Sequence, residues 1–320
     1  MNLRWGFIGA GNIATVALAP AVHKASNSIL HAVASGAVAR SEKLEPVKVH
    51  ASYADLIDDP DVDSIYISLP NHLHSQWAIA ALNAGKDVLC EKPLGLSHAD
   101  SLAMSNAAQS SGRLLVEATW TSWHPRFKRA YELVGTGDIG EITEIDSVFT
   151  FTGNLENNYR LDPTMGGGSL LDVGLYQVHL WRGLSDEAFE VDLDSVAVKR
   201  APSGVDMTTG VTGRLNKSVR VSALSSFELP DQQNISITGS VGSIRFHGDQ
   251  AFTSWKEPSS LLVDSHVEEF AAVDAYQLMV ENFADHVHGN GGWVLPIKQT
   301  LDVARVLDQI AQYEAITFNP

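Results

Sequence analysis

Through the first third of the chain, short apolar and β-branched runs alternate with stretches of helical periodicity. Strands are expected at 3–8, 30–35, 64–69, 87–90 and 113–118, with helices at 13–24, 75–84 and 99–111 between them. The last of these helices opens on Ser97-His98-Ala99-Asp100, an N-cap serine with an acid three residues on. Alternating elements of this length predict βαβ units, hence a parallel sheet with helices on both faces.

The rhythm changes near residues 119–121. A helix is expected at 125–134 and a long strand at 142–152, then a glycine run, Gly166-Gly167-Gly168, leading into a helix at 169–181. Segments at 211–215, 219–226, 234–238 and 243–247 alternate like antiparallel strands, and helices at 275–287 and 297–313 follow. No internal repeat or low-complexity tract interrupts the pattern.

A chain of 320 residues exceeds what one core usually serves, so two domains are expected: 1–119, and 120–320 with a C-terminal helix able to pack back on the first. The formal charge of −16 argues against nucleic acid and anionic membrane as partners. Cys90 stands alone and forms no internal disulfide, which fits a reducing compartment. No basic n-region precedes the first strand and no apolar run reaches membrane length, so a cytoplasmic protein with a small-molecule partner is expected.

The first strand leads directly into Gly9-Ala10-Gly11-Asn12-Ile13-Ala14, a Gly-x-Gly-x-x-Ala turn that opens a helix. The first glycine permits the tight turn and the second lets backbone approach a phosphate. Ala14 keeps helix and strand close, and helix amides face the anion. The first domain is therefore read as a dinucleotide-binding Rossmann domain. The fold class expected is α/β: an N-terminal Rossmann parallel sheet plus a C-terminal α+β domain with a large, mainly antiparallel open sheet. Where NAD sites place an acid, the second strand ends Ser35-Gly36-Ala37-Val38-Ala39-Arg40-Ser41. Small hydroxyls and Arg40 suit a 2′-phosphate, favouring NADP over NAD, although Arg40 also reads as an ordinary solvated arginine.

The fifth strand ends Cys90-Glu91-Lys92-Pro93, and in open parallel sheets ligands bind outside the carboxyl ends of the strands. The segment Ala84-Gly85-Lys86-Asp87-Val88-Leu89-Cys90-Glu91-Lys92-Pro93-Leu94 resembles the glucose–fructose oxidoreductase/inositol dehydrogenase (Gfo/Idh/MocA) family. Pro70-Asn71-His72-Leu73-His74 is similar to that family's Pro-Asn-x-x-His segment near the nicotinamide. Arg160-Leu161-Asp162-Pro163 and Gly166-Gly167-Gly168-Ser169-Leu170-Leu171-Asp172-Val173-Gly174-Leu175-Tyr176 are similar to its substrate-side helix. A tyrosine at 176, together with Glu117-Ala118-Thr119-Trp120, looks closest to the dihydrodiol/aldose dehydrogenase-like branch.

The turn and the resemblance together imply cofactor contacts from Gly9, Gly11, Asn12, Ile13, Ser35, Arg40, Leu69, Pro70, Asn71, His74, Glu91 and Lys92. They imply catalytic roles for Lys92, Tyr176 and Asp172, and substrate contacts from Trp120, Arg160 and His179. The reaction implied is hydride transfer between nicotinamide and a carbinol or carbonyl carbon of a sugar, cyclic polyol or vicinal diol. A phenol with a pKa near ~10 is a poor base unless a cation stabilises its anion; Lys92 is the expected cation, with Asp172 orienting it or the substrate. Asp172 and Tyr176 are one helical turn apart and His179 continues the stripe, so His179 is an alternative proton carrier. Tyr176 also reads as a core tyrosine, and Arg160 as a surface ion pair. Alternatives for the whole protein are a glycosidase with transient redox chemistry and a non-catalytic, cofactor-binding regulator. Neither His72-Leu73-His74 nor His286-Val287-His288 has the partners of a metal site, so no metal is expected. A homodimer or homotetramer is expected by analogy and from the open sheet.

Overall fold

The computed structural model describes residues 2–153, 155–185, 188–248 and 250–318. The chain forms two compact units, Met1–Trp123 with Asp274–Leu301, and His124–Val273 with Asp302–Pro320.

The first unit is built on six strands among the described residues: β1 Leu3–Ile8, β2 Ser28–Ala34, β3 Lys48–His50, β4 Ser64–Ile67, β5 Asp87–Cys90 and β6 Leu115–Glu117. Their order is β3-β2-β1-β4-β5-β6 and every neighbouring pair is parallel. This is the doubly wound order of a dinucleotide-binding sheet, reversing between β1 and β4. Strands β4 and β5 are buried at every position, as strands covered on both faces must be. Ile8, Ile65, Ile67, Leu82, Val88 and Met104 belong to one core cluster around them. The short edge strand β3 was not anticipated; three residues beginning with an exposed lysine carry no readable period. Helix Ala275–Val287 buries the stripe Tyr276, Met279, Val280 and Phe283, whose ring lies 4.9 Å from that of Trp5. Ser97 caps helix His98–Ser111 by accepting from the Asp100 N–H, as its sequence predicts.

The helix expected at 13–24 is α-helical only from Ala19 to Lys24; Ala14–Leu18 is a π turn, in which the Ala19 N–H reaches the Ala14 carbonyl. Pro20 accounts for this. It lacks an N–H, and its ring would press on the carbonyl four residues back, so a wider turn ahead of it relieves the clash.

In the second unit a nine-stranded sheet is formed by β7 Ile142–Thr150, β8 Val191–Arg200, β9 Asp206–Leu215, β10 Val219–Ser226, β11 Gln232–Gly239, β12 Ser243–His247, β13 Ser259–Val263, β14 His266–Phe270 and β15 Ile316–Thr317. The order is β14-β13-β12-β11-β7-β10-β9-β8-β15. Most pairs are antiparallel, but β10 runs parallel to β7, from Arg220 opposite Glu144 to Ser226 opposite Thr150, and β15 runs parallel to β8. The mainly antiparallel sheet expected from the sequence is present, and the two parallel pairs lie beyond what the sequence pattern could announce, because alternation reveals which face a residue takes and not which way its neighbour runs.

The helix expected at 169–181 likewise begins with a π turn, Leu170–Gly174, before α-helix Leu175–Gly183. Residues 175–182 are all buried. Gln177 ties this helix to the sheet, its Nε2 donating to the Ser147 carbonyl at 2.9 Å and the Leu224 carbonyl at 3.2 Å. On another part of the sheet, Glu144, Asp146, Asn234, Ser236, Thr238 and Arg245 line a polar hollow. No helix among the described residues is long and apolar enough to cross a membrane.

Candidate active site

The glycine turn after β1 has the geometry its sequence predicts. Gly9 has φ +97°, and a Cβ there would stand 2.2 Å from the Ser68 carbonyl oxygen, so only glycine fits. A Cβ on Gly11 would approach Ser68 Oγ to 3.2 Å. The turn is pinned by the Gly9 N–H on the Ala34 carbonyl and by the Ser68 N–H on the Ile8 carbonyl, at 2.8 and 2.9 Å. Ala14 is wholly buried, while Asn12 is exposed and Ile13 half-buried. A glycine-rich loop opening a helical turn at the strand-order reversal fits a pyrophosphate.

At the exit of β2, Ser35 Oγ donates to the Ala37 carbonyl at 2.8 Å and accepts from Ser41 Oγ at 2.9 Å. Arg40 is exposed, with one guanidinium nitrogen 3.3 Å from where a Cβ of Gly36 would lie. The loop offers hydroxyls and a cation, with no acid from 35 to 41.

Beyond β4, Leu69 and Pro70 are half-buried and Asn71 is buried. His74 is fully buried; its Nδ1 lies 2.8 Å from the Pro93 carbonyl oxygen and its Nε2 lies 2.9 Å from that of Leu69. After β5 the Lys92–Pro93 peptide is cis and Lys92 is half-buried. Glu91 is buried and accepts the Tyr66 hydroxyl at 2.7 Å; burial outweighs that hydrogen bond and pushes its carboxyl up to about 7. Glu117, also buried, accepts the Leu94 N–H at 2.9 Å. Neither Tyr66 nor Glu117 is among the site residues expected from the sequence. The available signal was register, since β6 sets Glu117 opposite Cys90, the residue before Glu91. Trp120 is almost fully enclosed in a single 3₁₀ turn of the same unit.

The second group of candidates lies in the other unit. Arg160 Nε donates to Asp172 Oδ2 at 2.6 Å, and a second guanidinium nitrogen donates to Oδ1 at 3.2 Å. Burial works against the Arg160 charge, but Asp172 outweighs it and holds the guanidinium above its ordinary value. The glycine run makes this pairing possible. A Cβ on Gly167 would strike the Arg160 carbonyl at 2.4 Å, and one on Gly168 (φ +114°) would strike Asp206 at 2.0 Å. Tyr176 is 8 % exposed, with its ring centroid 6.1 Å from Phe149 and 6.3 Å from Phe252. His179 is buried three residues further along the helix.

Among the described residues one group, His31, Asp59 and Asp61, brings potential metal-ligating atoms together, but the Asp59 carboxylate already receives Lys48 at 2.9 Å and His50 at 2.7 Å.

The reversed parallel sheet and its glycine turn define a dinucleotide-binding domain, joined to a second, sheet-based domain. A family model described as an oxidoreductase family with an NAD-binding Rossmann fold matches residues 3–119, and one described as a GFO/IDH/MocA C-terminal domain matches residues 127–245. The chain belongs to the Gfo/Idh/MocA family and is an NAD(P)-dependent oxidoreductase. It is 31% identical over 324 residues to D-xylose 1-dehydrogenase (NADP(+)) 2 of Haloferax volcanii, covering 96% of each chain. It is 30% identical over 299 residues to a dTDP-3,4-didehydro-2,6-dideoxy-alpha-D-glucose 3-reductase of Actinomadura kijaniata, covering 89% of this chain and 87% of the relative. The fold is shared with the crystal structure of KijD10, a 3-ketoreductase from Actinomadura kijaniata in complex with NADP and TDP-benzene, at TM-score 0.90 and 24% identity over the whole of both chains.

Proposed function

We propose that this chain is an NADP-preferring dehydrogenase or reductase acting on a CH–OH or carbonyl carbon of a sugar, cyclic polyol or vicinal diol. Its similarity along nearly its full length to a D-xylose 1-dehydrogenase (NADP(+)) supports the substrate class. The acid-free Ser35–Ser41 loop supports the cofactor preference. The observation that carries the reading is Lys92, held just beyond β5 in a sheet whose strand order reverses between β1 and β4.

The nicotinamide supplies hydride chemistry when bound; the chain's residues hold the reactants and manage the proton. Gly9 to Ile13 seat the pyrophosphate, and Ser35 with Arg40 receives the 2′-phosphate. Lys92 polarises the substrate oxygen with its charge, and the Tyr176 hydroxyl exchanges the proton. Arg160 holds Asp172, and that pair orders the helix turn leading to Tyr176. The protein works in the cytoplasm as a homodimer or homotetramer, a reading supported by the wide sheet of the second unit.

Purified protein assayed for cofactor reduction on a panel of sugars, polyols and aromatic diols, with NAD and with NADP, tests this. Turnover with a lower KM for NADP is expected, lost in Lys92→Met. Wild-type activity in Lys92→Met would overturn the catalytic reading.

A further inference from the structure

We infer that Tyr66, His74 and Glu117 form a three-point clamp that positions Lys92, and that His74 serves this clamp instead of contacting the cofactor. The inference rests on the proposed role of Lys92.

The turn Glu91–Leu94 is gripped on both sides of the lysine by buried side chains from elsewhere in the same unit. The Tyr66 hydroxyl, on β4, donates to the Glu91 carboxylate at 2.7 Å. His74 stands between the Pro93 carbonyl, 2.8 Å from one ring nitrogen, and the Leu69 carbonyl, 2.9 Å from the other; the imidazolium ties the turn to the exit of β4, and the neutral ring, which burial favours, donates to one of the two. Glu117, at the end of β6, accepts the Leu94 N–H at 2.9 Å. Tyr66 and His74 are wholly buried and Glu117 is 2 % exposed, whereas Lys92 itself is only half-buried.

The chemistry and the placement of these contacts favour positioning over mere packing. First, taking a histidine and a carboxylate out of water is costly, and apolar side chains would close the strand ends at lower cost. Second, the grips act on both flanks of one residue: the residue before Lys92 and the two after it. Fixing these neighbours confines the lysine Cα while leaving its side chain to the chemistry. With both His74 ring nitrogens already at protein carbonyls, no ring N–H remains for a cofactor amide.

The test compares Tyr66→Phe, His74→Leu, Glu117→Leu and Glu117→Gln with wild type and Lys92→Met. It measures NADP affinity by fluorescence titration, kcat and KM, and the pH profile of kcat, with circular dichroism to confirm folding. Tyr66→Phe removes one oxygen at nearly constant volume and carries the test where a larger replacement does not fold. A displaced lysine predicts kcat lower by about ten- to a hundredfold, and a kcat profile shifted by about one pH unit as its charge stabilises the reacting group less well. NADP affinity should stay near wild type, and Glu117→Gln, which keeps an acceptor for the Leu94 N–H, should recover most of kcat. Folded variants with wild-type kcat and pH profile, beside an inactive Lys92→Met, would overturn the clamp alone. Wild-type activity in Lys92→Met would overturn both readings. Loss of NADP affinity in His74→Leu matching its loss of kcat would return His74 to the cofactor.

Discussion

Arg160 holds Asp172 through two nitrogens of its guanidinium, at 2.6 and 3.2 Å, across a loop that only the glycines of 166–168 allow to close this tightly. The sequence suggests that Asp172 orients Lys92 or substrate; the structure adds that its carboxylate is paired with an arginine of its own unit. The pair sits at the π turn that leads into the Tyr176 helix. Arg160→Ala removes a charged, two-armed partner from a carboxylate that is 6 % exposed. Stability should fall by about 1–3 kcal/mol, with kcat falling as the turn loosens. Arg160→Lys should lie between, because lysine restores charge without the fork. Urea unfolding beside steady-state kinetics checks both, and an unchanged unfolding midpoint in Arg160→Ala would count against the pair.

Glu91 gives a pH dependence of opposite sign to that of an ordinary salt-bridged acid. Burial raises its carboxyl from 4.5 to about 7, so the folded state binds the proton more tightly than the unfolded chain does. Its contribution is therefore fully present below pH 4.5 and is lost as pH rises through about 7. The loss is on the order of 3 kcal/mol. Glu91→Gln abolishes this titration. Relative to wild type, the variant should gain stability steadily from pH 5 to 8. Denaturant unfolding across that range measures it, and a constant difference between the two proteins would contradict the buried-acid account.

Much of the first sheet was legible because its information is local. The Ser97 cap, the apolar runs of β1 and β5, and the glycine turn each occupy a few consecutive residues. What was missed depends on distant partners or on unusual periods. Strand β8 reads Val-Asp-Leu-Asp-Ser-Val-Ala-Val-Lys-Arg, and its bulge between Leu193 and Ser195 breaks the alternation that would have announced it. The π turns at Ala14–Leu18 and Leu170–Gly174 escape a search tuned to 3.6 residues per turn. In the candidate site, the glycine run was visible but its purpose was not, because Arg160 and Asp172 meet through a loop whose path no spacing rule describes. Tyr66 and Glu117 read as ordinary strand residues, since their partners lie 25 and 23 positions away.

The loop after β2 offers a direct test of cofactor choice. Arg40 lies over Gly36, and Ser35 is joined to Ser41 through their hydroxyls. Arg40→Ala should raise KM for NADP about tenfold, the equivalent of about 1.4 kcal/mol, and leave KM for NAD nearly unchanged. Ser35→Asp should favour NAD, since an acid there would accept from the ribose hydroxyls and repel a 2′-phosphate. Initial rates with the two cofactors measure the ratio, and parallel changes for both would show that the loop does not read the phosphate.

Tyr176 and His179 are the two proposed carriers of the proton, and their surroundings let one pair of variants decide between them. The Tyr176 ring packs among Phe149 and Phe252, so Tyr176→Phe keeps the aromatic contacts and removes only the oxygen. If Tyr176 exchanges the proton, kcat should fall by about 10²–10⁴-fold while NADP affinity and unfolding stay near wild type. The limb of the pH profile that belongs to the proton carrier should disappear with it. His179 is buried three residues on, and His179→Gln keeps a polar side chain there. It should change kcat by no more than a few-fold and leave the pH profile in place. The reverse outcome, a silent Tyr176→Phe and an inactive but folded His179→Gln, would assign the proton to His179 and return Tyr176 to the hydrophobic core.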